Sequence, residues 1–498
     1  MRLLPDKPWS SYRDYLAAVG EDAVDKARAL PPTEVLQKVQ HAGLRGRGGA
    51  GFPTGTKWAT LANHPCPTRQ VVCNAAEGEP ATFKDRWLIR HNPYAVLEGM
   101  LIAAHVIGAE RLFIALKSSF TQESARLRAA AEELSLNDIE IVEGPEEYLF
   151  GEERALLEVI EGGEPLPREP HYPPFEKGAF STPRAPTVAL VNNAQTFAHV
   201  PSIVRSGAAA FRKLGTSDTP GTLIFTVCGD VVRPGVYECE AGITLRELFY
   251  EIAGGPRPGR RFKAALPGVS AAVIMPNRFD TRADFGSMHM AGSALGSCGF
   301  WLLDDSAGMS RVLQSVARFL YVESCNQCSA CKHGLRTASS AIDEIFDEAT
   351  ASEDDIPRAL YGARSAPQGN RCYLPVGGAI LIPSLIENFA DELAGPHGEP
   401  ILLPKIVDFS EEGFRYDELT PLKTPDWTYL EPPLPVAPPP ARPAERPHDA
   451  DHAPVVVRLA PDVAAAFEDS AIVAGRPLDQ VVNEALREWL RRRDRLAR

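Results

Sequence analysis

The sequence predicts an α/β protein of several domains, in which a parallel-sheet domain is followed by a small β-grasp domain and then by a helical domain. Two observations predict this order. Buried apolar runs alternate with helical periodicity over residues 1–215, and short strands with turns replace them over residues 216–305. Helical spacing then returns, and a proline-rich segment separates it from a C-terminal strand–helix–helix pattern.

Composition limits the classes of function. The chain has 498 residues, 44% of them hydrophobic, and a formal net charge of -13, which argues against non-specific nucleic-acid binding. No apolar run reaches 18 residues and the first eight residues lack the apolar region of a secretory leader, so we expect a cytoplasmic protein without membrane insertion. Nine cysteines, an odd number, argue against a disulfide framework.

The first domain begins with helical spacing over residues 9–43, which predicts two short helices. A glycine-rich segment follows, with six glycines in residues 43–55 and the cations Arg45, Arg47 and Lys57. Its backbone could approach a phosphate closely, although such a segment is as compatible with a plain cluster of turns. It matches neither the Walker loop nor the Rossmann fingerprint.

Alternating strands and helices complete this domain and predict a doubly wound sheet. Strands are expected at 70–74, 111–116 and 139–143, and helices at 94–107 and 123–134. The first strand leads into the polar turn Asn74–Pro80, at a strand end where α/β proteins place ligands. Glu152 and Glu153 open a further helix, where acidic residues serve equally well as dipole partners.

The second domain is predicted from a strand at 221–229, a turn at 233–235, a return strand at 236–240 and a short helix at 244–252, a β-grasp-like pattern. Helical spacing resumes at 310–345 and returns at 383–393. The expected domains are 1–215, 216–305 and 306–430, followed by a linker at 431–454 and a module at 455–498.

A cysteine run lies within the helical region. Cys325, Cys328 and Cys331 are each separated by two residues, and Cys372 follows 41 positions after Cys331. Four thiolates suit a 4Fe-4S cluster or a structural zinc, and three cysteines at this spacing favour the cluster. The isolated cysteines are expected to be core or surface thiols: Cys66, Cys73, Cys228, Cys239 and Cys298.

These segments together resemble the NADH-oxidising flavin subunit of respiratory complex I and the diaphorase subunits of NAD-linked hydrogenases and formate dehydrogenases. The resemblance covers roughly residues 10–395 and rests on five motifs in the family's order. They are Gly-Leu-Arg-Gly-Arg-Gly-Gly-Ala-Gly-Phe-Pro-Thr-Gly at 43–55, Cys-Asn-Ala-Ala-Glu-Gly-Glu-Pro at 73–80, Gly-Glu-Glu at 151–153, Asn-Asn-x-x-Thr at 192–196 and Glu-Ser-Cys-x-Gln-Cys-x-x-Cys at 323–331.

The resemblance implies a flavin domain, a soluble-ligand-binding β-grasp domain and a helical 4Fe-4S domain. It implies an FMN site formed by Gly46, Arg47, Gly48, Gly49, Lys57, Asn74, Gly151, Glu152, Asn192, Asn193 and Thr196. It implies a nicotinamide-nucleotide pocket shaped by Phe52, Glu77, Glu79, Glu153 and Phe175. It implies cluster ligation by Cys325, Cys328, Cys331 and Cys372.

The activity that this resemblance implies is oxidation of NADH, with FMN between a two-electron donor and the one-electron cluster, and no side chain as nucleophile or general base. The acidic pair would bind the ribose hydroxyls or repel the additional phosphate of NADPH, which favours NADH as the donor. The implied partner is a ferredoxin or a thioredoxin-like iron-sulfur subunit, and any quinone chemistry would belong to such partners.

Several positions depart from the family pattern. Ala76 stands where the family usually has an aspartate near the flavin, Thr60 replaces an aromatic residue, and Tyr172 replaces a lysine. Cys372 is preceded by Asn-Arg rather than set in Thr-x-Cys-x-x-Gly. These differences indicate a divergent branch, and a relic that keeps the cluster but has lost flavin through Ala76 is one alternative.

The last 44 residues resemble ribbon-helix-helix proteins, with Val455–Leu459 as the ribbon and six arginines between Arg487 and Arg498. A redox-sensing DNA-binding regulator is therefore a second functional hypothesis. The alternative is a module for dimerisation or partner docking. The acidic body of the chain favours this alternative, and nucleic acid is not the expected partner.

Overall fold

A computed structural model describes residues 2–346, 351–393, 399, 401, 403–410 and 413–418, all within one compact unit, Met1–Glu431. The described helices are α1 Tyr12–Val19, α2 Ala23–Arg28, α3 Pro32–Ala42, α4 Thr54–Ala62, α5 Lys84–His91, α6 Pro93–Ile107, α7 Thr121–Glu133, α8 Glu153–Ile160, α9 Ala194–Ser206, α10 Ala208–Phe211, α11 Phe285–Met290, α12 Met309–Glu323, α13 Ser329–Ile345, α14 Asp355–Ser365, α15 Leu374–Asn388 and α16 Ala390–Leu393.

The described strands are β1 Thr68–Asn74, β2 Arg111–Lys117, β3 Ile139–Gly144, β4 Thr187–Asn193, β5 Thr222–Gly229, β6 Gly235–Glu240, β7 Phe262–Leu266, β8 Gly299–Asp304, β9 Pro404–Ser410 and β10 Gly413–Glu418. Short 3-10 helices span Tyr148–Gly151 and Pro276–Arg278, and a π-helical turn spans Glu247–Ile252. The proline-rich linker and the C-terminal strand–helix–helix prediction lie outside the described residues.

The first sheet is parallel, with strand order β3-β2-β1-β4. The chain moves outward from β1 through β2 to β3 and then returns to the other side of β1 to form β4. A crevice therefore opens beyond the carboxyl ends of β1 and β4, which is where ligands bind in such sheets. Asn74 and Asn193 end these two strands and are direct partners across the ladder.

Helices α6 and α9 pack beside this sheet. Asn92 caps α6 through a bond to the amide of Ala95, and Gly108 ends it in a left-handed conformation. The two helices approach so closely that a Cβ on Gly99 would lie 2.0 Å from the carbonyl oxygen of Phe197. This contact holds the first turns of α9 against the rest of the domain.

The second sheet has the order β6-β5-β8-β7, with a parallel central pair and antiparallel pairs at both edges. This is the mixed sheet expected of a β-grasp domain. It is joined to the first domain by bonds from Thr82 Oγ1 to Ser297 Oγ (3.0 Å) and from the Phe83 amide to Thr226 Oγ1 (2.9 Å). The turn that follows β1 therefore contacts the β-grasp domain directly.

The third region packs α12, α13, α14 and α15 around a shared apolar core. Helical structure was predicted over 310–345, and the structure divides it, because the loop Ser324–Cys328 separates α12 from α13. Glycine allows the closest crossing, since a Cβ on Gly334 would lie 2.6 Å from the carbonyl oxygen of Gly362.

Two predictions of helix boundaries were wrong. Residues 9–43 form three helices rather than two, because Asp22 caps the additional helix α2 through the amides of Val24 and Asp25. The helix predicted to start at Pro383 begins instead at Leu374 and contains Pro383 in its interior. No helix in the described part of the chain is long and apolar enough to cross a membrane.

Candidate functional site

The glycine-rich segment forms a tight loop against the end of β4. The amide of Gly46 donates to the carbonyl oxygen of Phe52 (2.8 Å), which closes the loop. A Cβ on Gly48 would lie 3.2 Å from Cβ of Asn193, and Gly49 has a φ of 129°, which side chains rarely adopt. Glycine is therefore required here for close packing and for backbone conformation.

Arg47 is the buried cation of this loop, with 1% of its surface exposed. Its amide donates to Thr196 Oγ1 (2.8 Å) and its Nη2 donates to the carbonyl oxygen of Pro220 (2.7 Å). Among the described residues, its Nε and Nη1 have no hydrogen-bond partner. Burial lowers the pKa of this guanidinium to about 10. Such a group fits an anion, and the phosphate of FMN supplies one.

The end of β1 is tied to the 3-10 helix that precedes α8. Asn74 donates from Nδ2 to the carbonyl oxygen of Gly151 (2.7 Å), and its Oδ1 accepts from the amide of Ala76 (3.2 Å). A Cβ on Gly151 would lie 3.1 Å from the carbonyl oxygen of Ala76. Ala76 itself is buried in an apolar cluster with Phe150, so no polar side chain stands at the position of the family's aspartate.

The two asparagines at the end of β4 have different partners. The amide of Asn192 lies 2.9 Å from the indole nitrogen of Trp58 and 3.0 Å from the carbonyl oxygen of Val191, and one orientation satisfies both. Asn193 caps α9 through the amide of Gln195 (3.0 Å) and donates from Nδ2 to Asp85 Oδ2 (2.6 Å). Both side chains therefore have hydrogen-bond partners within the protein.

The adjacent glutamates at the start of α8 have separate roles. Glu152 caps the helix by accepting from the amides of Arg154 and Ala155, both at 2.9 Å, and burial raises its pKa. Glu153 instead pairs with Lys57, with 2.8 Å between Oε2 and Nζ. This ion pair links α4 to α8, so a residue expected to contact FMN pairs with one expected to contact the nucleotide.

Glu79 connects the first two domains. Its carboxylate accepts from Tyr148 Oη (2.5 Å), from the amide of Val269 (2.7 Å) and from Ser270 Oγ (3.3 Å), and burial raises its pKa. Gly268 has no side chain to obstruct this approach, since a Cβ there would lie 2.2 Å from Glu79 Oε1. The structure thus places this expected nucleotide residue at the contact between domains.

Glu77 lies on the same turn, at the N-terminus of α5. Its carboxylate accepts from the amides of Asp85 (3.1 Å) and Arg86 (3.4 Å). Burial first, and then the Asp85 carboxylate, raise the pKa of Glu77 to about 7. Lys84 and Asp85 form a buried ion pair beside it, with 2.7 Å between Nζ and Oδ1.

The two expected aromatic residues differ in exposure. Phe52 is 55% exposed and available for stacking, whereas Phe175 is half-buried against the apolar core of the first domain. Thr60, at the position of an expected aromatic residue, donates its hydroxyl to the carbonyl oxygen of Thr56 (3.1 Å) within α4. Phe52 is therefore the better placed of the two for stacking.

The four expected cluster cysteines line one pocket. Cys325 lies in the loop before α13, Cys328 caps that helix, Cys331 lies in its first turn, and Cys372 precedes α15. Asn326 has a positive φ of 63°, which turns the loop around the pocket. Burial raises the pKa of the Cys331 thiol to about 12 and also raises those of Cys325 and Cys372.

The chemistry of these thiols fits a metal centre. All four cysteines line one pocket, and four thiolates suit a 4Fe-4S cluster or a structural zinc. Buried thiols need a strong positive charge to ionise, and a bound metal centre would provide it.

Sequence reasoning missed Lys84, Asp85 and Tyr148. The first two bond to Asn193 and the third to Glu79. The first two stand in Phe-Lys-Asp-Arg at 83–86, directly after the polar turn that follows β1. Adjacent opposite charges at the start of a mostly buried helix could have indicated them. The five isolated cysteines are free thiols, four buried and one intermediate.

Comparisons with known families match three regions of the chain. Residues 39–202 match the Nuo51 FMN-binding domain, residues 224–271 the SLBB domain, and residues 311–395 the NADH-ubiquinone oxidoreductase-F iron-sulfur binding region. These are the three regions for which the motifs predicted a flavin domain, a β-grasp domain and a 4Fe-4S domain.

Similar proteins extend across most of the chain. The second F-type subunit of NADH-quinone oxidoreductase from Rhizobium meliloti is 38% identical over 396 residues, which is 76% of this chain and 92% of that protein. The NADP-reducing hydrogenase subunit HndC of Solidesulfovibrio fructosivorans is 34% identical, over 67% of this chain and 70% of that protein. A crystal structure of an NAD+-reducing [NiFe]-hydrogenase in the H2-reduced state aligns with a TM-score of 0.67 at 31% identity, over 76% of this chain and 65% of that chain.

Proposed function

This chain belongs to the family of F-type subunits of NADH-quinone oxidoreductase, and from that premise we propose that it oxidises NADH and passes single electrons to an iron-sulfur protein partner. Bound FMN accepts a hydride and the 4Fe-4S cluster accepts one electron at a time, which is the chemistry that the two cofactors supply. The protein's own groups bind and orient these cofactors and the nucleotide.

The contact between the two cofactor sites is the observation that supports this proposal. The 3-10 helix Tyr148–Gly151 reaches both sites, because Leu149 lines the cluster pocket and Gly151 accepts the hydrogen bond from Asn74. Residues 149 and 151 are two positions apart, and a rise of about 2.0 Å per residue separates them by roughly 4 Å along the helix. If FMN binds at the expected residues, it would therefore lie beside the cluster, as electron transfer between them requires.

The cluster region is also fastened to the first domain. Arg154 of α8 donates to the carbonyl oxygen of Arg371, which directly precedes Cys372, and the Arg371 guanidinium pairs with Glu169. Glu323 accepts from the amide of Tyr148 (3.1 Å). These bonds support a fixed separation between the two cofactors.

Among the carboxylates expected at the nucleotide pocket, that of Glu153 is partly exposed. Its negative charge would repel the additional phosphate of NADPH, so we propose NADH as the donor. The electron acceptor would be a ferredoxin or a thioredoxin-like iron-sulfur subunit in the cytoplasm. Dimerisation through the C-terminal module remains a part of the proposal that lies outside the described residues.

Anaerobic stopped-flow spectroscopy tests this function. Protein with quantified FMN and iron is mixed with NADH, and NADPH at the same concentration is the matched control. We expect the flavin absorption at about 450 nm to bleach with NADH and an electron paramagnetic resonance signal of the reduced cluster to follow. Cluster absorption that NADH leaves unchanged, even after FMN is supplied, would contradict the proposal.

The DNA-binding alternative gains no support from the family matches, which end at residue 395 and cover only the flavin, SLBB and cluster regions. The flavin-free relic is not supported either, because the FMN-binding family matches across residues 39–202.

A further inference from the structure

Glu77 is a carboxylate whose role the proposed electron transfer leaves unexplained. It belongs to the turn between Asn74, which contacts Gly151, and the helix α5. The only bonds that the structure gives its carboxylate come from the backbone amides of Asp85 and Arg86. No cation is hydrogen-bonded or ion-paired to it in the described part of the chain, in contrast with its neighbour Asp85.

Asp85 has the partners that keep a carboxylate ionised. Its Oδ1 pairs with Lys84 Nζ (2.7 Å) and its Oδ2 accepts from Asn193 Nδ2 (2.6 Å). Both members of the ion pair are nearly inaccessible, with side chains 1% and 5% exposed. Two carboxylates thus share one buried ammonium. The Arg86 guanidinium also attracts Glu77, but it is bonded to Glu123. Protonation of Glu77 removes its repulsion with Asp85.

This charged group lies directly behind the expected flavin site. Asn193 caps α9, packs on Gly48 of the glycine-rich loop and bonds to Asp85. A negative charge on the flavin would therefore disfavour the ionised form of Glu77, because this carboxylate has no paired cation. The coupling is electrostatic and needs no continuous proton path to the flavin.

Water has access to Glu77 from the opposite side. A cavity of about 60 Å³ lies beyond the carboxyl ends of β1, β2 and β3, and Glu77 is part of its wall. The charged and titratable groups that face Glu77 from α5 are Lys84, Asp85 and Arg86. Those that face it across the cavity are Glu79, Lys117, Glu146, Tyr148 and Glu323.

We propose that Glu77 is the proton-holding group of the flavin site and takes up one proton from cavity water when the flavin is reduced. Hydride transfer moves two electrons and one proton from NADH and leaves NAD+. One further proton passes from water to the Glu77 carboxylate and balances the added negative charge. After two electrons leave singly for the cluster, both protons return to water.

The pH range in which proton uptake is expected follows from the pKa of the Glu77 carboxyl before the flavin is reduced. Its pKa lies near 7, because burial and Asp85 disfavour the charged form. Well below pH 7 it already carries its proton, so reduction adds none there. Above pH 7 it is ionised before reduction, and proton uptake is then expected. The inference rests on the proposed flavin site.

Infrared difference spectroscopy of the full-length holoprotein tests it. The flavin is reduced at an electrode, without NADH, so that a failure of NADH oxidation does not affect the result. At pH 8 we expect a carboxylic-acid carbonyl band to appear on reduction, to shift when glutamate is 13C-labelled, and to be absent in Glu77→Gln. Glu146→Gln, a carboxylate on the far wall of the cavity, is the matched control and keeps the band.

The pH dependence of the flavin midpoint potential gives a second measurement. One extra proton per two electrons makes reduction tenfold less favourable per pH unit, which is about 29.6 mV. Above pH 7 the wild-type slope is expected to be steeper than that of Glu77→Gln by this amount. The proposal is overturned if wild type and Glu77→Gln have equal slopes of midpoint potential against pH. It is also overturned if the wild-type protein shows no infrared band that shifts with the glutamate label, a result that requires no variant. If NADH fails to reduce the flavin while the electrode-driven band is present, only the proposed function is overturned.

Discussion

Replacement of Arg47 by methionine tests the flavin site directly. Its Nε and Nη1 have no partner among the described residues, whereas Nη2 is held by Pro220, so the free side of the guanidinium is pre-oriented. Two hydrogen bonds to a charged phosphate contribute about 1.5–3 kcal/mol each, so Arg47→Met is expected to weaken FMN binding by roughly 10²- to 10⁴-fold.

The same substitution is expected to affect the flavin-free protein in the opposite direction. Burial lowers the pKa of Arg47 from the ordinary arginine value to about 10, so the charged form costs roughly 3 kcal/mol without an anion. Methionine removes that cost, although the carbonyl oxygen of Pro220 loses one hydrogen bond. The melting temperature of the flavin-free variant should therefore be unchanged or higher.

Quenching of flavin fluorescence during titration of flavin-free protein measures the dissociation constant, and iron content verifies that the cluster domain is intact. Arg45→Met is the matched control, since Arg45 is on the same loop but pairs with Asp218 (2.8 Å) at a partly exposed position. A dissociation constant within threefold of wild type for Arg47→Met, or equal losses in both variants, would refute the reasoning.

Further outcomes are expected. Cys331→Ser should lose the cluster iron while FMN stays bound, which iron and flavin assays measure. Retention of four irons per chain would contradict the proposed set of cluster ligands. Glu77→Gln should have the same free energy of unfolding as wild type below about pH 4.5 and a larger one above pH 7. The reason is that the raised pKa of Glu77 favours the neutral acid in the folded state. Urea titrations at several pH values measure whether the variant is the more stable protein above pH 7. Ala76→Asp buries a carboxylate in an apolar cluster, so flavin-free protein should melt at lower temperature, more so at pH 8 than at pH 4, with Ala76→Ser as control. Lys57→Met breaks the ion pair with Glu153 and should weaken NADH-dependent flavin reduction, and equal rates would refute a role for that pair.

Local patterns predicted much of this protein. Alternating apolar runs indicated the parallel sheet, because strands β1, β2 and β4 are largely buried and each has a continuous apolar run. The spacing of Cys325, Cys328 and Cys331 indicated a shared site, because two intervening residues return the chain to the same side. Helix boundaries were less predictable, since Pro383 resembles a start signal but lies inside α15.

The roles of the carboxylates required the tertiary structure. Glu77, Glu79, Glu152 and Glu153 stand in similar acidic motifs, yet they bond respectively to helix amides, to the β-grasp domain, to their own helix and to Lys57. The sequence by itself determined which ligands the chain can hold, because motif spacing is a property of neighbouring residues. Only the tertiary structure decided that the segment of Leu149 joins the cysteine pocket to the end of β1 and that Asp85 rather than Glu77 has the buried ammonium. Contacts of this kind join residues that are distant along the chain, or they depend on which of two carboxylates pairs with a single lysine. The energies of these contacts depend on burial, which only the folded structure determines.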